Sequence, residues 1–574
     1  MKNVLYVPLD DRPVNLDDVI LLGKAAGLNL ITPNAADIRN RIDSQKTTSG
    51  NQITGTSIPT FGNPSAVRQF ILNQAANVEG FIISIDMLAY GGLIGSRRLR
   101  SSGGGTYPSY DAATTNLLDV IRLIKQSYPS KPVYVLDTIM RLATNTFIEG
   151  VTYADYSNTR TFMGQPRQTF TSSMSFNQIL NGYNLDPNGN NYGAVPNIPN
   201  FNKDHYYYAR QHKFKTNYYV LDQLARLGYI DFLAIGADDG KKTGVQINEI
   251  RFVEQFINNS LGGSGGQNAN RAIILPDADG LGHALVGRMA NQLYRGGSKP
   301  KYMIRYYGPN GSTIDDAYEY MDVHTNMLRH IDVIGGQHVA SSADVEIIAI
   351  TAENQASSAI AQINTNGTNR KATVVIDFTS SVANAAVTEA LLGSQNTGRL
   401  LGYCAWNTSG NRIGISLGMG QARYAYLVTE TQAAALNAAV NAHGSLLFKR
   451  FLKDYYYKTL VMPEVRERAN EEGRKQFPAI DSNQGMNMSL YLTNDQLQTI
   501  YGVMRNRMQT HITALRAKSA FLIGNSATAY NVKQINGATW SFAGYASASL
   551  DYNNPAFIWM RPNEITLGPV VTLQ

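Results

Sequence analysis

Asp238 and Asp239 stand side by side at the end of Ile230-Asp231-Phe232-Leu233-Ala234-Ile235-Gly236-Ala237, a run with five apolar residues among its first six. Asp10 and Asp11 repeat the pairing after Val4-Leu5-Tyr6-Val7-Pro8-Leu9, with Arg12 directly behind them. Asp86, Asp137 with Arg141, and Asp277 with Asp279 follow other apolar runs in the same way. Carboxylates brought together repel, which raises one pKa, and a nearby guanidinium lowers another, so one residue type can serve as both acid and base. The expected chemistry is acid–base hydrolysis, with Asp239 as general acid and Asp238 as the orienting or polarising carboxylate. Taken singly, each Asp is better explained by a turn or by capping of the helix that follows a strand, so the set rather than any member carries the reading.

The residues expected to hold substrate are Asp10, Asp11, Arg12, Asp86, Tyr90, Asp137, Arg141, Trp406, Asn407 and Asn411. Tyr90 precedes Gly91-Gly92, a pair that lets backbone approach a ligand, and Arg97 follows closely. Trp406 with Asn407 and Asn411 joins a stacking ring to amide hydrogen-bonding groups, as a sugar site does; a core Trp ahead of an Asn/Gly turn reads the same way. Cys404 is the single cysteine, which excludes an intramolecular disulfide and a Cys-built metal site. It lies in an apolar run, and a Ser or Cys nucleophile is not expected. Nucleotide fingerprints of the dinucleotide and P-loop types are missing. The eight His show neither HExxH nor HxH spacing. No cofactor is therefore expected, unless the Asp pairs take Mg²⁺ or Ca²⁺ through oxygen.

Lys and Arg number 50 against 43 Asp and Glu, and the resulting +7 is scattered rather than gathered in a stripe, which argues against nucleic acid as a partner. Charged residues make up 16% of the 574, a composition that suits contact with a small-molecule or glycan substrate, or packing against further copies in a homo-oligomer or larger self-assembly. No apolar run reaches bilayer length, so no membrane association is expected. Lys2 alone precedes Val4–Leu9 before Asp10 interrupts; no signal peptide and a cytoplasmic location are expected.

These side chains need elements to hold them. Strands are predicted over Val4–Leu9, Leu28–Thr32, Gly80–Asp86, Pro132–Asp137, Ile230–Gly236 and Ala272–Pro276, then over Lys301–Tyr306, Val345–Ile350, Ala372–Phe378 and Leu400–Ala405. Helices are predicted over Asn15–Ala26, Ser65–Ala76, Ala112–Gln126, Thr216–Leu227 and Asn248–Asn258, and over Ile314–Met321, Val382–Leu392, Ala422–Ala442 and Leu497–Ala517. Alternation of this kind indicates an α/β fold on a parallel scaffold, either TIM-barrel-like with extra strands or two doubly wound sheets in tandem. The chain divides into an α/β part over 1–300, with a Tyr/Asn-rich excursion at 150–212, and a second α/β part over 301–444. A helical region over 445–519 and a small β-rich terminal element over 520–574 follow. Parallel strands put their C-terminal ends on one edge, where the acids would converge.

Pro8-Leu9-Asp10-Asp11-Arg12-Pro13-Val14-Asn15, Ser84-Ile85-Asp86-Met87-Leu88-Ala89-Tyr90-Gly91-Gly92-Leu93 with Ser96-Arg97, and Met140-Arg141 carry a resemblance to the bacterial domain-of-unknown-function family 4127. It continues through Asp238-Asp239 with Gly244, Ala278-Asp279, Trp406-Asn407-Thr408 with Gly410-Asn411, and Trp559, Arg561 and Glu564. The resemblance implies no reaction. The chain departs from the pattern at Gly280, where an acid is expected, and at Gly240-Lys241-Lys242, so Asp279 is given no site role. A fainter likeness is to substrate-assisted hexosaminidases, which set adjacent acids at a strand end and Trp/Asn contacts at the last strand. A glycan- or amino-sugar-directed, glycoside-hydrolase-like enzyme is the leading expectation. The alternatives are a self-assembling protein that keeps an enzyme-like scaffold and a Mg/Ca-dependent hydrolase or transferase.

Overall fold

The computed structural model describes residues 1–42, 46–56, 58–199, 201–379, 385–480, 486–522 and 544–573. Its apolar runs form strands β1 (Lys2–Val7), β2 (Leu28–Ile31), β3 (Gly80–Ser84), β4 (Val133–Ile139), β5 (Phe232–Ala237), β6 (Gln267–Asn268) and β7 (Ala272–Pro276). They make one sheet in the order β2-β1-β3-β4-β5-β7-β6, parallel throughout except where β6 meets β7. Every residue of β3, β4, β5 and β7 is buried, as expected of strands covered on both faces.

A second sheet contains β8 (Lys301–Tyr307), β9 (Gln337–His338), β10 (Val345–Ile350), β11 (Ala372–Asp377) and β12 (Gly402–Cys404) in the order β9-β8-β10-β11-β12, all parallel. Both sheets thus begin with the same doubly wound order, and both are open. Of the two architectures left open by the strand count, the tandem sheets form and the barrel does not. In such sheets the ligand crevice lies beyond the C-terminal ends of the strands, where the winding reverses. That edge of the first sheet is where Asp10, Asp238, Asp239, Asp277 and Asp279 are delivered.

The helices that matter to the site are α1 (Asp17–Ala25), α2 (Lys203–Tyr219), α3 (Leu281–Arg295), α4 (Val323–Val333), α5 (Ser409–Leu427), α6 (Ala433–Phe451) and α7 (Asn494–Leu515). One core joins the two sheets, containing Tyr6 and Leu136 from the first, Ile347 and Val374 from the second, and Leu285 and Leu417 from α3 and α5 between them. α3 and α5 approach closely because glycines face each other. A Cβ on Gly418 would lie 2.4 Å from the His283 carbonyl carbon, and one on Gly280 would lie 2.9 Å from Gly414 Cα. A Cβ on Gly280 would also lie 2.4 Å from Asp277 Oδ2, so this packing leaves no room for an acid there.

Several predicted elements are redrawn. Residues 314–321 form no helix and are irregular, and the helix begins at Val323, where the Asp322 carboxylate accepts from Thr325 N. The predicted Ala422–Ala442 helix is two, α5 and α6, separated at residues 428–432. Ala112–Gln126 divides at Asp119. Thr216–Leu227 is the end of α2, which starts at Lys203 and runs on as a π-helical stretch, Val220–Ala225. The excursion contains Tyr153–Met163, whose Phe162 and Met163 join a small local cluster, and Phe176–Asn181, whose Phe176, Ile179 and Leu180 pack into the first sheet's core.

Beyond α6 the chain continues as a second π-helical stretch, Leu452–Val461. The terminal element pairs β13 (Tyr545–Ser549) with β16 (Val570–Leu573) and β14 (Ala556–Phe557) with β15 (Ile565–Thr566), all antiparallel. Residues 382–384 of one predicted helix and 523–543 of the terminal element lie outside the described residues. No described helix is long and apolar enough to cross a membrane.

Candidate active site

The edge of the first sheet opens into a cleft of about 390 Å³. Its floor begins where β1 ends. Arg12 Nη2 stands 2.9 Å from Asp10 Oδ2 and 2.5 Å from Asp279 Oδ1, while Asn15 Nδ2 donates to Asp10 Oδ1 (2.8 Å) and Asp279 Oδ1 (3.1 Å). The ends of β1 and β7 are clamped together through one guanidinium. Burial alone would raise the Asp279 carboxyl, but Arg12 and Asn15 hold it below the ordinary carboxylate range.

β5 delivers the adjacent pair. Arg97 Nη2 donates to Asp238 Oδ2 and Nη1 to Asn145 Oδ1, which fixes Asp238 as the partner of a guanidinium. Asp239 is held more loosely, its Oδ2 lying 3.6 Å from Arg141 Nη1. Its side chain keeps 27% of its surface open, against 1% for Asp10, 7% for Asp238 and 8% for Asp279. Among these acids Asp239 is therefore the most open to a substrate. Burial in the cleft and then repulsion from Asp238 push its pKa up to about 6, against the pull of Arg141 and Arg97.

Two Trp rings stand around these acids. Trp406 is only 5% exposed and forms part of the wall, so of the two readings of this Trp the buried one describes its environment. Asn407 Nδ2 donates to Asn411 Oδ1 (3.0 Å), and Asn411 Nδ2 donates to Asp277 Oδ1 (2.9 Å). Asp277 also receives Gly280 N and faces His330 Nε2 at 2.9 Å, which ties it into the scaffold. Trp559 is half-buried; its indole N–H donates to Asp11 Oδ1 (2.9 Å), and Arg12 lies over its ring at 5.6 Å. Burial and then the neighbouring Asp10 push Asp11 up to about 7, against the hydrogen bonds from Trp559 and Asn40. Asn407 (φ 72°) and Trp559 (φ 55°) both occupy the left-handed region, a conformation non-glycine residues hold only where surrounding structure enforces it.

The family described as "Protein of unknown function (DUF4127)" matches residues 4–567. The chain belongs to DUF4127. Among curated proteins and among solved structures, none matches it. The DUF4127 match embraces both sheets and every cleft residue from Asp10 to Glu564, so the cleft lies wholly inside the family's span.

Of the residues expected to act in this DUF4127 chain, Asp10, Arg12, Arg141, Asp238, Asp239, Trp406, Asn407 and Asn411 line the cleft. Asp11 sits behind it, against Trp559. Three do not join them. Asp86 and Asp137 are buried beneath the sheet edge, where Lys213 of α2 reaches both, at 3.0 and 2.9 Å. Tyr90 turns its hydroxyl to His212 Nδ1 (2.9 Å) and Thr216 Oγ1 (2.6 Å). These three hold α2 to the sheet. Asp279, which had been given no role, lines the cleft on Arg12. Gly414-Ile415-Ser416-Leu417-Gly418 has the spacing of a nucleophile elbow, but Ser416 is buried within α5 and donates its hydroxyl to the Arg412 carbonyl at 2.6 Å.

Reading the sequence missed Lys458 and Arg466, which also line the cleft, and left Arg561 and Glu564 as echoes of the family pattern. As for a metal, no three acidic, His or Cys side chains converge to hold one among the described residues. The carboxylates that could serve are already engaged: Asp10 and Asp279 by Arg12, and Asp238 by Arg97.

Proposed function

We propose that this chain hydrolyses glycans or amino sugars, with Asp239 as general acid and Asp238 as the carboxylate that orients the reacting group. The observation that carries this reading is the contrast within the adjacent pair. Asp239 is open to the cleft with its pKa pushed up to about 6, whereas Asp238 is locked to Arg97. Two neighbouring carboxyls in unlike surroundings divide the labour of acid and charged partner. Asp239 gives its proton to the glycosidic oxygen as the bond to the sugar breaks, and the resulting carboxylate takes a proton from the water that completes hydrolysis. With an N-acylated amino sugar, Asp238 accepts the amide N–H and aims the amide oxygen at the sugar carbon. Trp559, more open than Trp406, offers the ring face on which a sugar can stack.

The test is turnover of a panel of neutral, N-acetylated and acidic disaccharides by the parent and by Asp239→Asn. Loss of turnover with unchanged circular dichroism is expected, and hydrolysis by the variant at the parental rate would overturn the assignment. Light scattering separates the self-assembling alternative: large ordered particles that bind none of these sugars would favour it.

A further inference from the structure

The cleft's cations fall into two groups. Arg12 and Arg97 each face a carboxylate at ion-pairing distance. Lys458 and Arg561 also line the cleft, yet among the described residues no carboxylate lies within ion-pairing distance of either. Arg561 is 7% exposed, spends Nη2 on the Thr146 carbonyl (2.9 Å), and its buried Nε has no hydrogen-bond partner. Acids do stand near Lys458, but each is engaged elsewhere: Glu564 by Lys453 at 2.7 Å and Asp454 by Arg450. Arg466 and Arg141 face the same space. A buried charge without a counter-charge is costly, and a cleft wall that sets two such groups beside Arg141 and Arg466 is arranged for an anion from outside.

We propose that Lys458 and Arg561, flanked by Arg141 and Arg466, form a subsite for the carboxylate of an acidic sugar. As a statement about sugar this rests on the hydrolase reading above; as a statement about anion binding it does not. The electrostatics agree. Burial and then Arg466 push the Lys458 pKa down to about 8, and burial and then Arg141 push Arg561 down to about 9. A bound carboxylate relieves both.

Isothermal titration calorimetry of the full chain with glucuronate and with glucose tests this. Glucuronate is expected to bind at least about tenfold more tightly than glucose, the worth of one charge-assisted contact. That margin should vanish in Lys458→Met and in Arg561→Met, and survive in Asp239→Asn. Excess inorganic sulfate should weaken glucuronate binding to the parent, a measurement that needs no variant. Equal binding of the two sugars, a margin that survives both Met variants, or indifference to sulfate would each overturn the subsite. A variant Asp239→Asn that keeps full turnover while the margin stays intact would sink the hydrolase reading and leave the subsite standing.

Discussion

Arg12 and Arg561 point into one cleft with opposite balances of charge. Arg12 is the one guanidinium set between two buried carboxylates, so Arg12→Met leaves Asp10 and Asp279 facing each other uncompensated. A loss of about 3–5 kcal/mol of stability is expected, read as a lower urea midpoint, and a change under about 1 kcal/mol would contradict the clamp. The raised acids make a second prediction. Asp239 and Asp11 hold their protons more firmly folded than unfolded, so their contribution to stability is complete below their ordinary pKa of 3.8. It is lost as pH rises through about 6 for Asp239 and about 7 for Asp11. Asp279 and Asp18 run the other way: their pKa values are lowered, by Arg12 and by Lys449 against the cost of burial, and their contribution fades only below the ordinary carboxylate range. The contribution of these two raised acids, Asp11 and Asp239, should therefore decline between pH 4 and pH 7, against the opposite slope from the buried His212, His283 and His443, whose pKa values burial lowers. The stability of the parent relative to Asp11→Asn or Asp239→Asn should accordingly fall as pH rises across that range. Urea midpoints across that range check the slope.

At the scale of elements, the glycine seam between α3 and α5 sets the spacing of the two sheets. Gly418→Ala places a methyl against His283 backbone that cannot rotate away, and a loss of about 3 kcal/mol is expected. Gly502→Ala, inside α7 with nothing within 4 Å, should instead gain about 0.5–1 kcal/mol. The strands were legible because fully buried parallel strands read as unbroken apolar runs, and the acids at their ends followed from the direction of the strands. Asp86 and Asp137 show the limit. A carboxylate at a strand end reads the same whether it faces solvent or a buried lysine such as Lys213, and only packing of α2 decides. Lys458 was illegible for a different reason. At 3.6 residues per turn Lys453 and Lys458 would sit about 140° apart. The π-helical stretch, bonded i→i+5, turns both toward Trp406, at 5.4 and 5.8 Å. Composition offers no sign of that change of pitch.

At the scale of the whole molecule, the two sheets share one core, and side chains distant in the chain close a single cleft: Asp10, Asp239, Lys458 and Arg561 all reach it. Independent halves would give two thermal transitions; the common core predicts one, measured by calorimetry, with Gly418→Ala lowering it as a unit. The same assembly makes the terminal segment part of the site, since Trp559 holds Asp11 and Arg561 faces Arg141. The most direct measurement of the acid–base role is the rate ratio of parent to Asp239→Asn across glycosides of rising leaving-group pKa. A general acid matters most when the leaving oxygen is basic. The ratio is expected to climb from near unity for dinitrophenol to about 10²–10⁴ for a sugar alcohol, whereas a ratio that stays flat across the series would contradict it.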